Sequence, residues 1–455
     1  MAESSTPIRW VSADVTEPAK PTAPALIIAA PASGSGKTVL TLALLRHFRN
    51  AGVRAGSFKV GPDYIDPAFH ATASGRPCPN LDPWAMRDAT LAAVVRDASD
   101  GTELVIGEGV MGLFDGAADG TSSTADLAVR LGIPIVLVVD VRGQAASAAA
   151  VVHGFSSLRD DVTVAGIVFN RVGSDSHARM LNTACRDLGV PVLGHVPRDP
   201  CLALPDRHLG LIQAVEQETL GAFLDTAATL VGNAVDTAAL RALAQPAAMP
   251  GVYTNKRLMP FGQRLAVASD VAFGFAYPHM LAGWRSDGAE ILPFSPLADE
   301  APDADADAIY LPGGYPELHA GRLASNASFI EGMRRAAARG ATIVGECGGY
   351  MVLGDGLTDA EGNRHDMCGL LPLETSFAER KLHLGYRAMR QRDAGPFGAA
   401  GAGLRGHEFH YATVVMEGSA EPLFDCADAN GNQLAPAGLR RGGVMGSFLH
   451  VIDAA

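Results

Sequence analysis

The sequence has no excess of basic residues and no basic stripe. Its 36 lysines and arginines face 49 aspartates and glutamates, which gives a net charge of −13 at pH 7. This balance argues against a nucleic-acid partner, although an anionic small molecule could still bind through local lysines and arginines. Charged residues form only 19% of the chain and hydrophobic residues 48%, which is typical of buried α/β domains and not of disorder. At 455 residues the chain is too long for one core, so two or three domains are expected.

Cysteines are few, and none are arranged as a pair. The six cysteines, at 78, 185, 201, 347, 368 and 426, form no CxxC motif. Neither a zinc site nor a disulfide framework is therefore indicated, and a reduced, cytoplasmic protein is the simplest interpretation. Apolar runs such as Ile133 to Val139 are far too short to cross a membrane. Residues 1–23 lack a continuous apolar core, so a flexible tail is expected there and not a signal peptide.

The stretch from Pro31 to Thr38 has the layout of a P-loop. An apolar strand, Ala25 to Ala29, leads into it, and an apolar helical run, Val39 to Phe48, leads out. Pro31 departs from the usual pattern, which has glycine at that position. Backbone N–H groups of such a loop bind phosphate, its lysine reaches the outer phosphates, and its Ser/Thr hydroxyl binds Mg²⁺. The phosphate-binding residues predicted here are Ser33, Gly34, Ser35, Gly36, Lys37 and Thr38.

Two further strands end in loops that carry carboxylates. The strand Ala55 to Val60 leads to Asp63, Tyr64 and Asp66, and the strand Leu104 to Ile106 leads to Glu108 and Asp115 in a glycine-rich loop. Carboxyl ends of parallel strands share one crevice, so these side chains are expected beside the P-loop. Glu108 is the predicted second Mg²⁺ ligand. Turn formation is the alternative for Asp63 and Asp66, and a solvated turn position is the alternative for Glu108.

The first half continues as alternating strands and helices, which predicts a doubly wound parallel α/β domain. The strand Val164 to Phe169 ends at Asn170, whose amide is expected either to pair with a purine edge or to support a local turn. Strand periodicity is then lost, and the predicted boundaries are 24–232 for the first domain, 233–262 for a linker and 263–455 for the second domain.

The second half contains the pattern of a nucleophile turn, which predicts that Cys347 is a nucleophile. The strand Ala341 to Val344 is followed by Gly345-Glu346-Cys347-Gly348-Gly349 and then a helical stretch, the form of a nucleophile elbow. A helix N-terminus beneath the thiol is expected to lower the pKa of Cys347. The turn at Gly313-Gly314 could supply backbone N–H groups as an oxyanion hole.

A cysteine nucleophile needs a base, and His450 is the predicted one. It ends the apolar run Gly446 to His450, which is expected to be a strand. The competing histidines are His383, His407 and His410. The run from His407 to His410 lacks the spacing of a zinc protease, and its alternation predicts a strand instead.

Several long motifs occur in one order across both halves, and together they resemble the cobyrinic/hydrogenobyrinic acid a,c-diamide synthases. The resemblance covers about residues 25–452. Its motifs are PASGSGKT (31–38), KVGPDYIDPAFH (59–70), NLDPWAM (80–86), EGVMGLFDG (108–116), LPGGYPE (311–317), GECGGYM (345–351), RGHEFHY (405–411) and GSFLH (446–450).

The resemblance implies two folds and an activity. It implies a domain similar to dethiobiotin synthetase, followed by a class I (triad) glutamine amidotransferase domain. ATP and Mg²⁺ would serve the amidation of two acetate carboxylates of a corrinoid, with nitrogen from glutamine. Cys347 and His450 would be the glutaminase pair. The residues implied in the synthetase site are Thr38 and Glu108 with Mg²⁺, Asp63 as a further metal ligand, and Tyr64, Asp66 and Asp115 around the substrate.

Some features stay open at this stage. Triad enzymes often carry Glu two residues after the histidine, but Ile452 stands there and Asp453 is off-register. Candidates for binding the carboxylates of the substrate are Arg380, Lys381 and Arg387. Composition leans toward the cobalt-free substrate. Alternatives are another tetrapyrrole, such as nickel sirohydrochlorin, and an ATP switch with an inactive glutaminase module. The sequence does not determine the oligomeric state, for which a homodimer is one candidate.

Overall fold

The computed structural model describes residues 22–204, 220–248 and 257–455. The expected tail at 1–23 lies almost wholly outside these residues. Within them, no helix is long and apolar enough to cross a membrane.

As far as the structure describes it, the first half forms a sheet in which seven strands run parallel and one short strand runs antiparallel. Its strands are β1 Pro24–Ala29, β2 Ala55–Val60, β3 Asn80–Leu81, β4 Leu104–Glu108, β5 Ile135–Asp140, β6 Val164–Val172, β7 Val192–Pro197 and β8 Gln245–Pro246. In the described residues the strands run β3-β2-β4-β1-β5-β6-β7, with β8 antiparallel to the start of β1. Strands such as β5 are continuously apolar because helices cover both faces of a parallel sheet.

Helices follow these strands in the order that the sequence predicts. They are α1 Lys37–Asn50, α2 Asp66–Ser74, α3 Asp88–Ser99, α4 Thr124–Leu131, α5 Ala148–Ser157, α6 Asp175–Cys185, α7 Leu220–Ala234 and α8 Thr237–Leu243. The first of them begins directly after the glycine-rich loop, and α4 begins with a capping box between Ser123 and Asp126.

The second half is built on a larger mixed sheet. Its strands are β9 Arg264–Ala268, β10 Glu290–Phe294, β11 Ala308–Leu311, β12 Thr342–Glu346, β16 His383–Gln391, β17 Gly403–His410, β19 Glu421–Ala427, β20 Ala437–Arg441, β21 Val444–Ser447 and β22 Leu449–Ala454. Over the described residues they run β10-β9-β11-β12-β21-β20-β19-β16-β17-β22. The first five in this order are mutually parallel, and the others pair antiparallel.

A small second sheet and four helices complete this half. The small sheet has the order β14-β13-β15-β18, with β13 Gly356–Thr358, β14 Arg364–Asp366, β15 Leu373–Ser376 and β18 Thr413–Glu417. The helices found among the described residues are α9 Pro278–Ser286, α10 Ala320–Ser325, α11 Ala327–Ala338 and α12 Gly348–Leu353. The expected fold class, a P-loop doubly wound domain followed by a second α/β domain, is confirmed.

Two expectations differ from the structure in detail. The linker was expected from residue 233, but α8 and β8 still pack on the first sheet, and β8 pairs with β1. The expected strand ending at His450 is wrong. The chain changes partners at Phe448, because β21 pairs with β12 and β20 whereas β22 pairs with β17. His450 is therefore the second residue of a new strand.

Candidate active sites

The glycine-rich loop follows β1 and opens directly onto helix α1. Gly34 and Gly36 adopt left-handed backbone conformations, with φ of 77° and 94°. A side chain at Gly36 would also collide with the amide of Asn170, so glycine is required there. No side chain caps α1, which leaves the N–H groups of its first turn available to an anion. Ser33 and Gly34 are exposed at the mouth of the loop.

Lys37 connects this loop to the one that follows β4. Its Nζ donates to the carbonyl of Met111 at 2.5 Å and to that of Ala32 at 3.3 Å. Burial lowers the pKa of Lys37, and nearby Lys59 lowers it further. The lysine is therefore held by carbonyl oxygens at the mouth of the crevice.

A buried ionic cluster lies beneath the loop, at the carboxyl ends of β1, β2 and β4. Thr38 Oγ1 donates to Glu108 Oε1 at 2.5 Å. Lys59 Nζ lies 2.8 Å from the same oxygen and 2.7 Å from Asp66 Oδ2. Burial alone would lower the pKa of Lys59, but the carboxylates of Asp66 and Glu108 raise it. The predicted meeting of Thr38, Glu108 and Asp66 is confirmed.

Lys59 and His70 are members of this cluster to which the sequence analysis gave no role. His70 Nε2 lies 2.5 Å from Glu108 Oε2. Burial opposes the charged imidazole, yet Cys78 and Glu108 raise the pKa of His70 to about 10. Both residues lie inside the motif KVGPDYIDPAFH. For Lys59 the signal was a charged residue inside a predicted strand, which needs a buried partner once the strand is buried.

Asp63 and Asp115 shape the loops that carry them. Asp63 Oδ1 accepts the backbone N–H groups of Ile65 and Asp66 at 2.8 and 3.0 Å. Asp115 Oδ2 accepts the N–H of Gly112 at 2.8 Å. Burial and the charge of Asp66 raise the pKa of Asp63 to about 6. One oxygen of each carboxylate therefore stabilises the turn of its own loop.

Asn170 connects the end of β6 to the P-loop. Its Nδ2 donates to the carbonyl of Ser35 at 2.8 Å, and its Oδ1 accepts the N–H of Arg171 at 2.9 Å. The amide therefore supports both the P-loop and its own turn, and its pairing with a purine edge stays a prediction.

Cys347 lies at a strained turn between β12 and α12. Its φ is 47° and its ψ is −104°, a combination that non-glycine residues rarely adopt. Such strain is characteristic of a nucleophile elbow, so the predicted geometry is confirmed. A Cβ placed on Gly313 would come within 3.3 Å of Cys347 Cβ and 3.2 Å of His450 Nε2. Gly313 therefore allows the thiol and the imidazole to face the same small space.

The expected lowering of the thiol pKa is wrong. Burial raises the pKa of Cys347, and the negative charge of Glu317 raises it further. Burial also lowers the pKa of His450 to about 3. At neutral pH the two groups are therefore a neutral thiol and a neutral imidazole, so the proton must move when the thiol attacks.

His450 is enclosed by residues of both halves. Its Nδ1 lies 3.9 Å from Glu346 Oε2, and neither ring nitrogen has a hydrogen-bond partner in the described part of the chain. Its ring lies 4.5 Å from the ring of Tyr64, measured between centroids. Tyr64 also stacks on Phe275 at 5.2 Å and contacts Tyr277 at 4.9 Å. The loop that follows β2 in the first half thus reaches His450 in the second half.

Asp453 does not complete a triad. Both of its oxygens bind the guanidinium of Arg87 from the first half, at 3.0 Å and 2.6 Å, and Oδ2 also accepts the Arg87 N–H. Ile452, at the position usual for the third member, is fully buried and apolar.

Two of the competing histidines, His383 and His410, lie with Glu408 on β16 and β17, whereas His407 pairs with His450 across β17 and β22. His383, Glu408 and His410 offer ligand atoms within 4.8 Å of one another. Glu408, however, forms an ion pair with Arg387 and accepts from His410 at 3.1 Å. This ion pair occupies part of the Arg387 guanidinium, and binding of a substrate carboxylate by Arg387 stays a prediction. Arg380 and Lys381 are exposed.

The motif NLDPWAM lies at the contact between the halves, a place that its sequence did not indicate. Asp82 accepts from the hydroxyl of Tyr386 at 3.0 Å. Trp84 stacks on Tyr386 at 4.6 Å and lies beneath the guanidinium of Arg405 at 4.8 Å. One apolar cluster accordingly contains buried residues of both sheets.

Comparison with known families assigns each half. Residues 26–212 match the CobQ/CobB/MinD/ParA nucleotide binding domain, and residues 264–455 match the CobB/CobQ-like glutamine amidotransferase domain. A nucleotide-binding P-loop half joined to a Cys–His half of this kind defines a glutamine-dependent amidating ligase.

Full-length relatives narrow the class. Hydrogenobyrinate a,c-diamide synthase of Brucella anthropi is 55% identical over 429 residues, covering 94% of this chain and 98% of the relative. The enzyme of the same name from Sinorhizobium sp. is 54% identical over 431 residues, covering 94% and 99%. That from Brucella suis biovar 1 is 56% identical over 429 residues, covering 94% and 98%. The chain belongs to the hydrogenobyrinate a,c-diamide synthase family.

Proposed function

We propose that this chain amidates the a and c acetate carboxylates of hydrogenobyrinic acid, using ATP and glutamine. The observation that carries the proposal is the coexistence, in a chain of this family, of an intact P-loop cluster and an intact Cys347–His450 pair. Each half has the groups that its part of the reaction requires.

In the glutaminase half, Cys347 attacks the carboxamide carbon of glutamine while His450 Nε2 takes the thiol proton. A C–S bond forms, the C–N bond breaks, and the leaving ammonia takes the proton from His450. Water then hydrolyses the glutamyl thioester to glutamate. Backbone N–H groups of Gly313 and Gly314 are proposed to bind the oxyanion.

In the synthetase half, the γ-phosphate of ATP is transferred to an acetate carboxylate of the substrate. The resulting acyl phosphate supplies a leaving group, which a carboxylate at neutral pH lacks. Ammonia then forms the amide and phosphate departs. Lys37 and the N–H groups of residues 33–38 bind the phosphates and stabilise their charge. Asp63, Tyr64, Asp66 and Asp115 are proposed to line the substrate site.

The cluster beneath the loop is compatible with Mg²⁺. Thr38 Oγ1 and Glu108 Oε1 are adjacent oxygen donors of the kind that Mg²⁺ prefers. Asp63 is proposed as a further ligand. When bound there, Mg²⁺ would neutralise charge on the phosphates. Lys59 shares Glu108 and would hold its carboxylate in place.

Product analysis tests the substrate. Hydrogenobyrinic acid, cobyrinic acid and nickel sirohydrochlorin are incubated separately with ATP, Mg²⁺ and glutamine and analysed by mass spectrometry. Two amides on hydrogenobyrinic acid are expected. If only one of the other two compounds gained two amides, that compound would be the substrate instead of hydrogenobyrinic acid. Absence of both amidation and glutamine hydrolysis would support the inactive-module alternative.

A further inference from the structure

A histidine that takes a proton is more effective when a carboxylate holds its other nitrogen and stabilises the imidazolium. In this chain the usual position for that carboxylate is Ile452, and Asp453 is bound to Arg87. The carboxylate that lies beside His450 in the described residues is Glu346, which immediately precedes the nucleophile.

We propose that Glu346 is the positioning residue of the glutaminase site and replaces the third member of the triad. This inference rests on the proposed function. Glu346 ends β12, and His450 is the second residue of β22. The Cε1–Nε2 edge of the His450 ring and Cys347 Cβ both border the space beside Gly313, while Nδ1 of His450 lies 3.9 Å from Glu346 Oε2. The imidazole thus has the Cys347 turn near its Nε2 edge and the carboxylate near Nδ1.

The carboxylate of Glu346 is itself held in place. Oε2 accepts from the hydroxyl of Tyr310 at 2.6 Å, and Oε1 accepts the N–H of Val451 at 3.1 Å. The Val451 contact joins Glu346 to the residue that directly follows His450. A closer approach of about 1 Å would form the Nδ1–H···O bond, and such bonds often tighten when substrate binds.

Proton transfer to His450 gives the Glu346 carboxylate its chemical role. When the thiol proton moves to Nε2, His450 becomes an imidazolium in a site without water-accessible surface. Burial and neighbouring His407 both oppose that charge. An ionised Glu346 stabilises this positive charge by accepting a hydrogen bond from Nδ1–H of His450. The other groups near Glu346 are Tyr310, Tyr64, Tyr277 and Cys347, none of which carries a negative charge at neutral pH in the thiol state.

Glu317 offers a matched comparison. It is a second buried carboxyl, and its charge affects Cys347 more strongly than that of Glu346 does. If Glu346 acted only as a negative charge near the thiol, Glu317→Gln would change glutamine hydrolysis in the same direction and at least as much as Glu346→Gln.

The experiment measures glutamine hydrolysis and ammonia-dependent amidation in the full chain. Glu346→Gln is expected to lower kcat for glutamine by about 10²- to 10⁴-fold, with KM changed less than about 3-fold and ammonia-dependent amidation retained. Glu346→Asp should recover part of the loss. A kcat within about 3-fold of wild type, or the same loss in Glu317→Gln, would overturn the proposal. Absence of hydrolysis in the wild type would instead reject the proposed function.

A second variant keeps the test decisive if Glu346→Gln fails to fold. Burial raises the pKa of Glu346 to about 7, and the Tyr310 hydroxyl lowers it. Tyr310→Phe should therefore move the acid limb of glutamine hydrolysis to higher pH, because an ionised Glu346 is needed. An acid limb that does not move would count against the positioning role.

Discussion

The ring of Tyr64 lies 4.5 Å from the ring of His450, although the two residues belong to different catalytic halves. Tyr64 follows β2 in the synthetase half, and His450 is the proposed base of the glutaminase reaction. The contact encloses His450 and contributes to the burial that lowers the pKa of its imidazole to about 3.

Tyr64→Ala should therefore raise the pKa of His450 toward its ordinary value, because removing the ring admits water to the imidazole. Tyr64→Phe keeps the ring and should leave the pKa close to that of wild type. NMR titration with labelled histidine, assigned by His450→Gln, measures both. Equal pKa values in the Ala and Phe variants would show that the ring does not control this environment.

Cys347→Ser should abolish glutamine-dependent amidation but retain amidation with an added ammonium salt. Serine is a far weaker nucleophile in a site without a strong base, while the P-loop cluster is untouched. Steady-state rates with each nitrogen source measure the separation. Parallel loss of both activities would contradict the assignment of the two reactions to separate halves.

Glu108→Gln should abolish amidation from either nitrogen source while glutamine hydrolysis partly survives. The variant removes the carboxylate that contacts Thr38 and Lys59, so both the metal site and the placement of the lysine are lost. Loss of one partner of a buried ion pair should also lower the free energy of unfolding by about 3 kcal/mol. Full synthetase activity in Glu108→Gln would exclude Glu108 from the metal site.

Acid should destabilise the protein through those buried histidines whose pKa the fold lowers. Burial lowers the pKa of His279 to about 4, that of His407 to about 4 and that of His450 to about 3. The unfolded chain binds protons at these groups below about pH 6.5, whereas the folded chain does not. Their contribution to stability is therefore complete above pH 6.5 and is lost as the pH falls toward 4.

His279→Gln should reduce the slope of the free energy of unfolding against pH between pH 6.5 and 4 by close to one proton. Urea unfolding at several pH values measures the slope. His153→Gln, which makes the same substitution at an exposed position, is the control. An unchanged slope in His279→Gln would mean that this imidazole is not held neutral by the fold.

Much of the fold and of both sites could be predicted from the sequence, because local patterns carried them. Apolar strands followed by glycine-rich turns predicted the P-loop and the elbow at Cys347. Contacts over long sequence separations left no such pattern. Lys59 lies in a fully buried strand, and only the fold shows that Asp66 and Glu108 neutralise it. The pKa of Cys347 was predicted in the wrong direction because the sequence shows that a helix begins at the thiol but does not show how deeply the thiol is buried. Burial raises the pKa.

The pair of Arg87 and Asp453 is another contact that only the fold reveals, and it ties the synthetase half to the strand of His450. Asp453 is buried and accepts three hydrogen bonds from Arg87. Arg87→Ala leaves this carboxylate without its guanidinium. It should lower the free energy of unfolding by about 2 kcal/mol, less than a fully buried pair because Arg87 is one-third exposed.

The same variant should lower glutamine-dependent amidation more than ammonia-dependent amidation, because β22 carries both Asp453 and His450. Arg46→Ala is the matched control: it removes an arginine whose partner, Asp225, is half exposed, so the stability change should stay below about 1 kcal/mol. Urea midpoints and the ratio of the two amidation rates measure these effects. If Arg87→Ala changed both rates equally, the contact would stabilise the chain without positioning His450.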